Sequence, residues 1–319
     1  MVATPVERPE QPKVTIVVPA RNEARNLEIV LPKLPPVHEV IVVDGHSTDD
    51  TAEVVARVLP RAKFLQQTRK GKGNALAVGF EAATGDVIVM FDADGSADEA
   101  EIADFVAALV AGADFAKGSR VLAAGGSDDI TLVRDAGNRA LTLITNVLFR
   151  TKYTDLCYGY NAFWRDVLQH LSIPSSRYDT PQWGDGFEIE TLINCRVAAA
   201  DLQIHEVPSV ELRRIHGESN LNAVRDGFRV LRTILTERFQ HGRSSTPIPS
   251  ADLLTHAHAD TAHAAATDEA LSDAAAGSPA AADLATSLPM ARVIDLRTSE
   301  ERHPVIPEQA TEAGQREHA

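Results

Sequence analysis

Cysteine is scarce: Cys157 and Cys195 are the only two in 319 residues. Two thiols cannot build a disulfide framework, and their spacing matches no metal site. They read as a reduced, cytosolic pair. Long hydrophobic runs are also missing, and no apolar stretch approaches the roughly 18 residues of a membrane span. The opening residues lack a basic-then-apolar leader, so a cytoplasmic chain is expected. Positive charge is in deficit, with 31 Lys and Arg against 45 Asp and Glu and a formal net charge of -14. That balance speaks against general nucleic-acid binding, which needs a basic face. It leaves room for a local basic pocket that takes a phosphorylated ligand. Several catalytic signatures are absent too. There is no G-x-x-x-x-G-K-[ST] phosphate loop, no G-x-G-x-x-G after the first strand, no H-E-x-x-H and no G-x-S-x-G.

What is present divides unevenly along the chain. From Ala251 to Ala319, 12 acidic residues face 4 basic ones, so this segment holds -8 of the net charge. It is rich in Ala, Thr, Ser and Asp and has no sustained apolar period, so it is expected to be a disordered acidic tail over residues 245–319. Its His256, His258 and His263 resemble a metal tract, but a disordered setting argues against a site. The opening dozen residues hold three prolines, and residues 1–11 are expected to form a flexible arm. Residues 12–244 are expected to be the folded domain.

Within that domain, short β-rich apolar runs alternate with helical patterns. Strands are predicted at residues 14–19, 39–44, 63–66, 86–92 and 114–117. Helices are predicted at 24–34, 47–59, 74–84 and 98–111. Continuous apolar strands separated by helices specify a parallel sheet covered on both faces. The fold class is therefore α/β, with a doubly wound, mostly parallel central sheet. A mixed C-terminal region follows, with helices at 133–150 and 186–199, extended chain at 155–164, and strands at 203–208 and 210–213. A closing helix over 222–239 places Val224, Phe228, Leu231, Ile234 and Leu235 on one stripe.

In an open α/β sheet, ligands bind outside the carboxyl ends of the strands. The loops after the first, second and fourth strands are all polar: residues 19–23, 44–49 and 92–96. Asp92 and Asp94 are the sharpest signal. Two carboxylates two residues apart, just past a buried strand, supply hard oxygen donors suited to Mg²⁺ or Mn²⁺ on a substrate's phosphates.

These loops and the segments after them resemble glycosyltransferase family 2, in particular its dolichol-phosphate mannosyltransferase-like, polyprenyl-phosphate branch. Pro19, Asn22 and Glu23 match the family's P-x-x-N-E turn. Asp44, Ser47, Asp49 and Thr51 resemble its D-x-S-x-D-x-T segment, and Gly71, Gly73 and Ala75 its G-x-G-x-A loop. Asp92 and Asp94 resemble its DXD metal motif, and Gly118, Ser119 and Arg120 its G-S-R. Phe187 to Glu190, Glu206 to Pro208 and Gly217 to Leu221 resemble the later F-x-x-E, E-V-P and G-x-S-K-L segments. Two departures stand out. Ser96 replaces a frequent Gln two residues after the second metal Asp, and Asn220 replaces the Lys of the last motif.

The resemblance implies a GT-A nucleotide-diphospho-sugar transferase fold with an acceptor region toward the C-terminus. It implies a metal-dependent inverting hexosyltransferase using a nucleotide-diphospho-sugar donor, with a polyprenyl phosphate as the expected acceptor. Donor binding would fall to Pro19, Asn22, Glu23, Asp44, Lys72 and Asp92, and Mg²⁺ or Mn²⁺ binding to Asp92 and Asp94. Acceptor binding would fall to Arg120, Arg134 and Arg214, and Asp94, Arg120 and Glu190 would be the catalytic set. A phosphate acceptor needs no strong base, whereas a hydroxyl acceptor would need Asp185, Glu188 or Glu190. A non-catalytic sugar-nucleotide-binding protein is the rival reading. The arginines of the last helix also admit a peripheral contact with an anionic membrane, against the default of a helix packed on the core.

Overall fold

The apolar runs become strands because both of their faces are covered. Residues 8–217 and 223–240 are described by a computed structural model. They fall in the first of the chain's two units, Met1–Asp268. The expectations for the acidic tail, its histidines and Asn220 lie outside the described residues. Part of the expected arm is anchored. Arg8 pairs with Asp114 at 2.5 Å and Asp166 at 3.3 Å, and its guanidinium lies over the Trp164 ring.

The N-terminal half runs β1 (Val14–Ala20), α1 (Ala24–Val30), β2 (Glu39–Asp44), α2 (Thr51–Val58), β3 (Lys63–Gln66), α3 (Lys72–Ala82), β4 (Val87–Met90), α4 (Ile102–Val110) and β5 (Phe115–Ser119). The rest runs β6 (Gly126–Ser127), α5 (Leu132–Phe149), β7 (Asn161–Trp164), α6 (Leu168–Leu171), α7 (Ile189–Ala199), β8 (Ile204–Pro208), β9 (Val210–Glu211) and α8 (Ala223–Gln240). The main sheet has the order β3-β2-β1-β4-β7-β5-β8, and β6 and β9 form a small second sheet. All pairings in the main sheet are parallel except those of β7, which runs antiparallel to both β4 and β5. Ile16 to Val18, Ile41 to Val43 and Val87 to Val89 are fully buried, as central strands of a doubly wound sheet must be.

The aromatic residues show that helices cover both faces. Phe163 of β7 meets Phe80 of α3 edge-on and stacks on Phe115. Tyr160 turns to the other face, where it stacks on Phe105 of α4 and meets Phe91 edge-on. Sheet side chains alternate between faces, so Tyr160 and Phe163, three residues apart, belong to opposite layers.

Three sequence expectations change. The extended segment at 155–164 forms a strand only over Asn161–Trp164, because residues 153–160 wrap the sheet's carboxyl end first. The helix expected from residue 186 starts at Ile189, so Asp185 and Glu188 do not share a helical face. The stripe on α8 splits. Ile234 is buried with Tyr153, Leu156 and Cys195, while Phe228 is 70% and Phe239 74% exposed. Glu237 of α8 pairs with Arg196 at 2.8 Å and accepts from Trp183 Nε1 at 2.8 Å. The helix therefore packs on α7 and still presents aromatic rings outward. No helix among the described residues is long and apolar enough to cross a membrane.

Glu39, at the start of β2, ties three elements together. Its Oε1 accepts from Thr15 Oγ1 at 2.7 Å, from Thr84 N at 2.6 Å and from Thr84 Oγ1 at 2.8 Å. Lys63 of β3 lies 2.6 Å from the other oxygen. Burial opposes ionisation, but Lys63 and these hydrogen bonds outweigh it and bring the carboxyl down to about 2. A carboxyl depressed in the folded state stabilises above its unfolded pKa, and that contribution is lost as pH falls through the folded one. Stability from Glu39 should therefore be complete above about pH 4.5 and decline toward pH 2. Glu39→Ala should lower unfolding stability at pH 7 by about 1–3 kcal/mol, the range for buried donors left without an acceptor, and the deficit should shrink on acidification. Urea titrations at pH 7 and pH 3 measure both.

Candidate active site

Two loops at the carboxyl ends of β1 and β2 are laced into one wall. Asn22 sits in the left-handed region, with φ 57°, which its short amide tolerates. Its backbone N donates to Ser47 Oγ at 2.8 Å, and its side-chain Oδ1 accepts from Thr48 N at 2.8 Å. Asp44, buried at the end of β2, accepts from Ser47 N at 3.1 Å. Asp49 accepts from Ala24 N at 3.1 Å, and Thr51 Oγ1 accepts from Glu23 N at 3.2 Å. Pro19 lies opposite Val43 in the β1–β2 register. The structure therefore brings Pro19, Asn22, Glu23 and Asp44 to one mouth, with Asn22 and Asp44 shaping the loops through backbone N–H groups.

The acidic pair follows β4 directly across this mouth. Lys72 Nζ, at the first residue of α3, lies 2.6 Å from Asp92 Oδ1 and 2.5 Å from Glu190 Oε1. Burial alone would lower the Lys72 pKa, but the charges of Asp92 and Glu190 outweigh it and raise it. Lys72 is therefore held as an ammonium. Asp92 is pushed upward by lost hydration and by the neighbouring Glu190 and Asp94 carboxylates, against the pull of Lys72. Together with Arg214, which meets Asp94 and Glu23, this corner holds four carboxylates and two cations and is short of positive charge.

Asp94 takes Ser96 N at 3.0 Å and Ser96 Oγ at 2.7 Å on one oxygen, and Arg214 at 2.9 Å on the other. Arg214 also pairs with Glu23. Arg214, expected to bind an acceptor, lies between the loop that carries Glu23 and the carboxylate of Asp94.

Among the described residues, no group of three or more His, Cys, Asp or Glu side chains is arranged to hold a metal. Asp92 and Asp94 are two hard donors in a corner that demands positive charge. That fits a Mg²⁺ or Mn²⁺ whose other ligands come from phosphate oxygens and water. They would supply two protein oxygens and leave open positions for a substrate.

The loop that delivers Lys72 is fastened from a distant part of the chain, and sequence reading missed the fastening. Arg69 forks onto Asp185, with Nε at 2.8 Å and an Nη at 2.7 Å. Its remaining nitrogen donates to the carbonyls of Ser175 and Tyr178. Asn74 N donates to Asp185 O at 3.1 Å, and Asn74 Oδ1 accepts from Arg69 N at 2.7 Å. Asp185, one of the three candidate bases, is thus engaged in structure. Glu188 accepts from Gly184 N and Gly186 N. Of the three candidate carboxylates, Glu190 is the one that meets the Lys72–Asp92 corner.

Arg120 lies behind this corner. Its Nε and one Nη fork onto Asp155 at 2.7 and 2.9 Å, and its third nitrogen meets Glu211 at 2.9 Å. The side chain is 6% exposed and rests on the Tyr158 ring, with its guanidinium carbon 4.9 Å from the centroid. Burial pulls against ionisation, but the Asp155 and Glu211 carboxylates raise the Arg120 pKa. Every guanidinium nitrogen already has a carboxylate partner. Arg134, on α5, is more open and pairs with Asp129 at 2.9 Å. Both arginines line a cavity of about 170 Å³ among α5, α7 and α8, which includes Glu190, Cys157, Val133, Leu141, Phe187 and Val230. Burial, followed by the Asp155 charge, pushes the Cys157 thiol up to about 12, so it is a poor nucleophile at neutral pH.

An α/β sheet with this strand order, its polar loops gathered at one carboxyl edge and an acidic pair after β4, is a GT-A layout. The chain belongs to glycosyltransferase family 2. The family model "Glycosyl transferase family 2" matches residues 15–172. An uncharacterized glycosyltransferase of Mycobacterium tuberculosis, Rv0539, is 42% identical over 112 residues, which cover 35% of this chain and 50% of that protein. The low-salt glycan biosynthesis hexosyltransferase Agl6 of Haloferax volcanii is 32% identical over 235 residues, covering 70% of this chain and 53% of Agl6. The matches thus span about half the length of these curated relatives. Among solved structures, glucosyl-3-phosphoglycerate synthase from Mycobacterium tuberculosis with Mn²⁺ and UDP-glucose has a TM-score of 0.54 at 23% identity, covering 71% of this chain and 79% of that one. The same enzyme with phosphoglyceric acid has a TM-score of 0.55 at 22% identity, covering 74% and 87%. These structures share the fold.

Two substitutions test the architecture of the site. A side chain at Gly73 would overlap the carbonyl oxygen of Gly184. Gly73→Ala should therefore displace the Lys72 loop and lower the melting temperature. Arg120→Ala would leave the buried Asp155 and Glu211 without their cation. It should destabilise by about 3–5 kcal/mol, the range for a broken buried pair, measured by chemical denaturation.

Proposed function

We propose that the chain is a metal-dependent inverting glycosyltransferase that moves a hexose from a nucleotide-diphospho-sugar to an acceptor, a polyprenyl phosphate. The carrying observation is the Asp92–Asp94 pair at the end of β4. It faces the Pro19–Glu23 and Asp44 loops and is incompletely neutralised by Lys72 and Arg214. Mg²⁺ or Mn²⁺ would be held by Asp92 and Asp94 and would neutralise charge on the departing diphosphate. Support comes from the solved neighbours, which are described with Mn²⁺ and UDP-glucose and with Mg²⁺ and UDP. The protein's own residues would do the rest. The two-loop wall positions the nucleotide, Lys72 places a fixed charge beside Asp92, and the Arg69–Asp185 clasp keeps Lys72 in register.

For the acceptor, the cavity behind Glu190 supports a phosphate joined to an apolar chain. Arg134 and Arg229 stand among Val133, Leu141, Phe187 and Val230 on its walls, which suits an anionic head and a hydrocarbon tail. An ionised phosphate needs no strong base, and forked arginine donors position it. With Arg120 fully paired, Arg134 is the arginine we assign to first contact. The exposed Phe228 and Phe239 beside Arg225, Arg232 and Arg238 on α8 support a peripheral membrane contact in which such an acceptor is presented.

A second reading has its own observation. Glucosyl-3-phosphoglycerate synthase is described with phosphoglyceric acid, a small soluble acceptor. If this chain uses a hydroxyl, Glu190 is the carboxylate placed to take its proton.

Asp94→Asn should abolish metal-dependent transfer while leaving the melting temperature within a few degrees. Unchanged turnover would eliminate the metal assignment. Arg134→Ala should raise the KM for polyprenyl phosphate about tenfold, with donor affinity unchanged. Steady-state kinetics with polyprenyl phosphate and with phosphoglycerate decide the acceptor. Transfer to phosphoglycerate alone, abolished by Glu190→Gln, would replace the first reading with the second.

A further inference from the structure

Arg214 occupies the donor mouth through a short strap that crosses it. Its Nε donates to His216 O at 2.8 Å, one Nη donates to Asp94 Oδ2 at 2.9 Å and the other to Glu23 Oε1. The backbone on either side is stitched to both loops. Leu212 N donates to Ser96 O at 2.8 Å, and Ile215 N to Asp94 O at 3.1 Å. His216 N donates to Asn26 Oδ1 at 2.9 Å, and Asn26 Nδ2 returns a bond to His216 O at 3.2 Å. Gly95 adopts φ +78°, and a Cβ there would press on Ile215 Cδ1 at 2.5 Å. Residues 212–216 thus bridge the loop after β4 to the first turn of α1, with a guanidinium at the centre.

We propose that Arg214 is a resident counter-cation that competes with the divalent metal for Asp94, so that the strap must release this contact before metal and diphosphate can seat together. The inference rests on the reading of Asp92 and Asp94 as a metal site.

Both oxygens of Asp94 are engaged, one by Ser96 and one by Arg214. Binding a cation through the second oxygen therefore means displacing the guanidinium. A metal held there with Arg214 in place would set like charges side by side, in a corner where Arg214 is 25% and Asp94 22% exposed. Such partly buried charges are screened little by salt.

The diphosphate changes this balance. Its oxygens accept forked donors as well as a carboxylate does, so Arg214 gains a partner of equal kind when it leaves Asp94. Nucleotide and metal then favour one another, because each is bound best when Arg214 has moved. By linkage the coupling is the same in both directions. Lys72 differs, since it is fixed at the start of α3 by the Gly71–Gly73 contacts with Asp185 and Gly184 and stays with Asp92 and Glu190. One cation is built in, and the other is exchangeable.

The sign of the effect separates this role from a structural one. If Arg214 only organised the mouth, removing it would weaken metal binding; as a competitor, its removal strengthens binding. The test is Mn²⁺ titration of the full chain followed by electron paramagnetic resonance of free Mn²⁺, alone and with saturating UDP or GDP. Arg214→Gln should bind Mn²⁺ about tenfold tighter than wild type without nucleotide, within the usual range of coupling between sites. The gain in Mn²⁺ affinity on adding nucleotide should shrink by a similar factor. Arg214→Lys, which keeps the charge, should stay within about threefold of wild type. Ile215→Ala leaves every charge in place and loosens the strap over Gly95, so it should shift affinity in the same direction as Arg214→Gln by about threefold. This second variant decides the matter if Arg214→Gln lowers the melting temperature markedly. Equal or weaker Mn²⁺ binding in Arg214→Gln, or in Ile215→Ala where the former is unstable, overturns the proposal. Failure of the metal-site reading looks different: wild type and Asp94→Asn would then show the same Mn²⁺ titration, with and without nucleotide.

Discussion

Excess negative charge held at one edge of a β-sheet is the constraint on which the rest of this structure depends. Glu23, Asp92, Asp94 and Glu190 come from well-separated stretches of chain, yet two cations serve all four. Carboxylates brought this close repel one another and resist losing water. The fold keeps them together because each rides on a buried element. Asp92 and Asp94 follow a strand with no exposed residue, and Glu190 lies in the first turn of a helix whose Ile189, Leu192 and Ile193 are fully buried. A binding site for a charged ligand needs this kind of imbalance. Electrostatic need left unmet in the free protein is what a cation brought to this edge would satisfy.

The scaffold resists the imbalance with closed polar pairs a short distance away. Arg69 with Asp185, Arg120 with Asp155 and Glu211, and Arg196 with Glu237 are all buried and almost fully hydrogen-bonded. Such pairs contribute little net stability over an apolar equivalent, but breaking one is expensive. They act as rigid clasps between segments distant in sequence. The contrast between satisfied pairs behind and an unsatisfied cluster in front is what marks the mouth as the working surface.

The central strands β1, β2 and β4 were legible in the sequence because buried parallel strands must be continuous apolar runs, as residues 16–18, 40–43 and 87–91 are. Asp92 and Asp94 were legible because their loop follows such a run. Lys72 and Glu190 were recognised one at a time, while the ion pair joining them was not, since nothing local signals a contact across 118 residues. The contacts of Arg214 with Asp94 and Glu23 were hidden for a related reason, since its partners lie 120 and 191 residues away in the chain. Arg120 looked available because its four-residue context is a loop; Asp155 and Glu211, which engage it, come from two other parts of the chain. The reversal of β7 was equally invisible, because a short apolar run does not state its direction.

That reversal governs how the molecule can be assembled. β4 and β5 never touch as neighbours: β7 is inserted between them and hydrogen-bonds to both. When β5 has been made, the sheet is therefore still two pieces with a gap, and the missing strand follows only after the whole of α5. Until Asn161–Trp164 arrive, β4 and β5 each present an unpaired edge, the kind of surface that recruits wrong partners. The segment β1 to β5 is thus not a module that folds first and later acquires the rest. The two are interleaved in one sheet, so a ribosome must deliver the centre of the fold after its flanks, and a chain cut at the end of β5 would be left with an open seam.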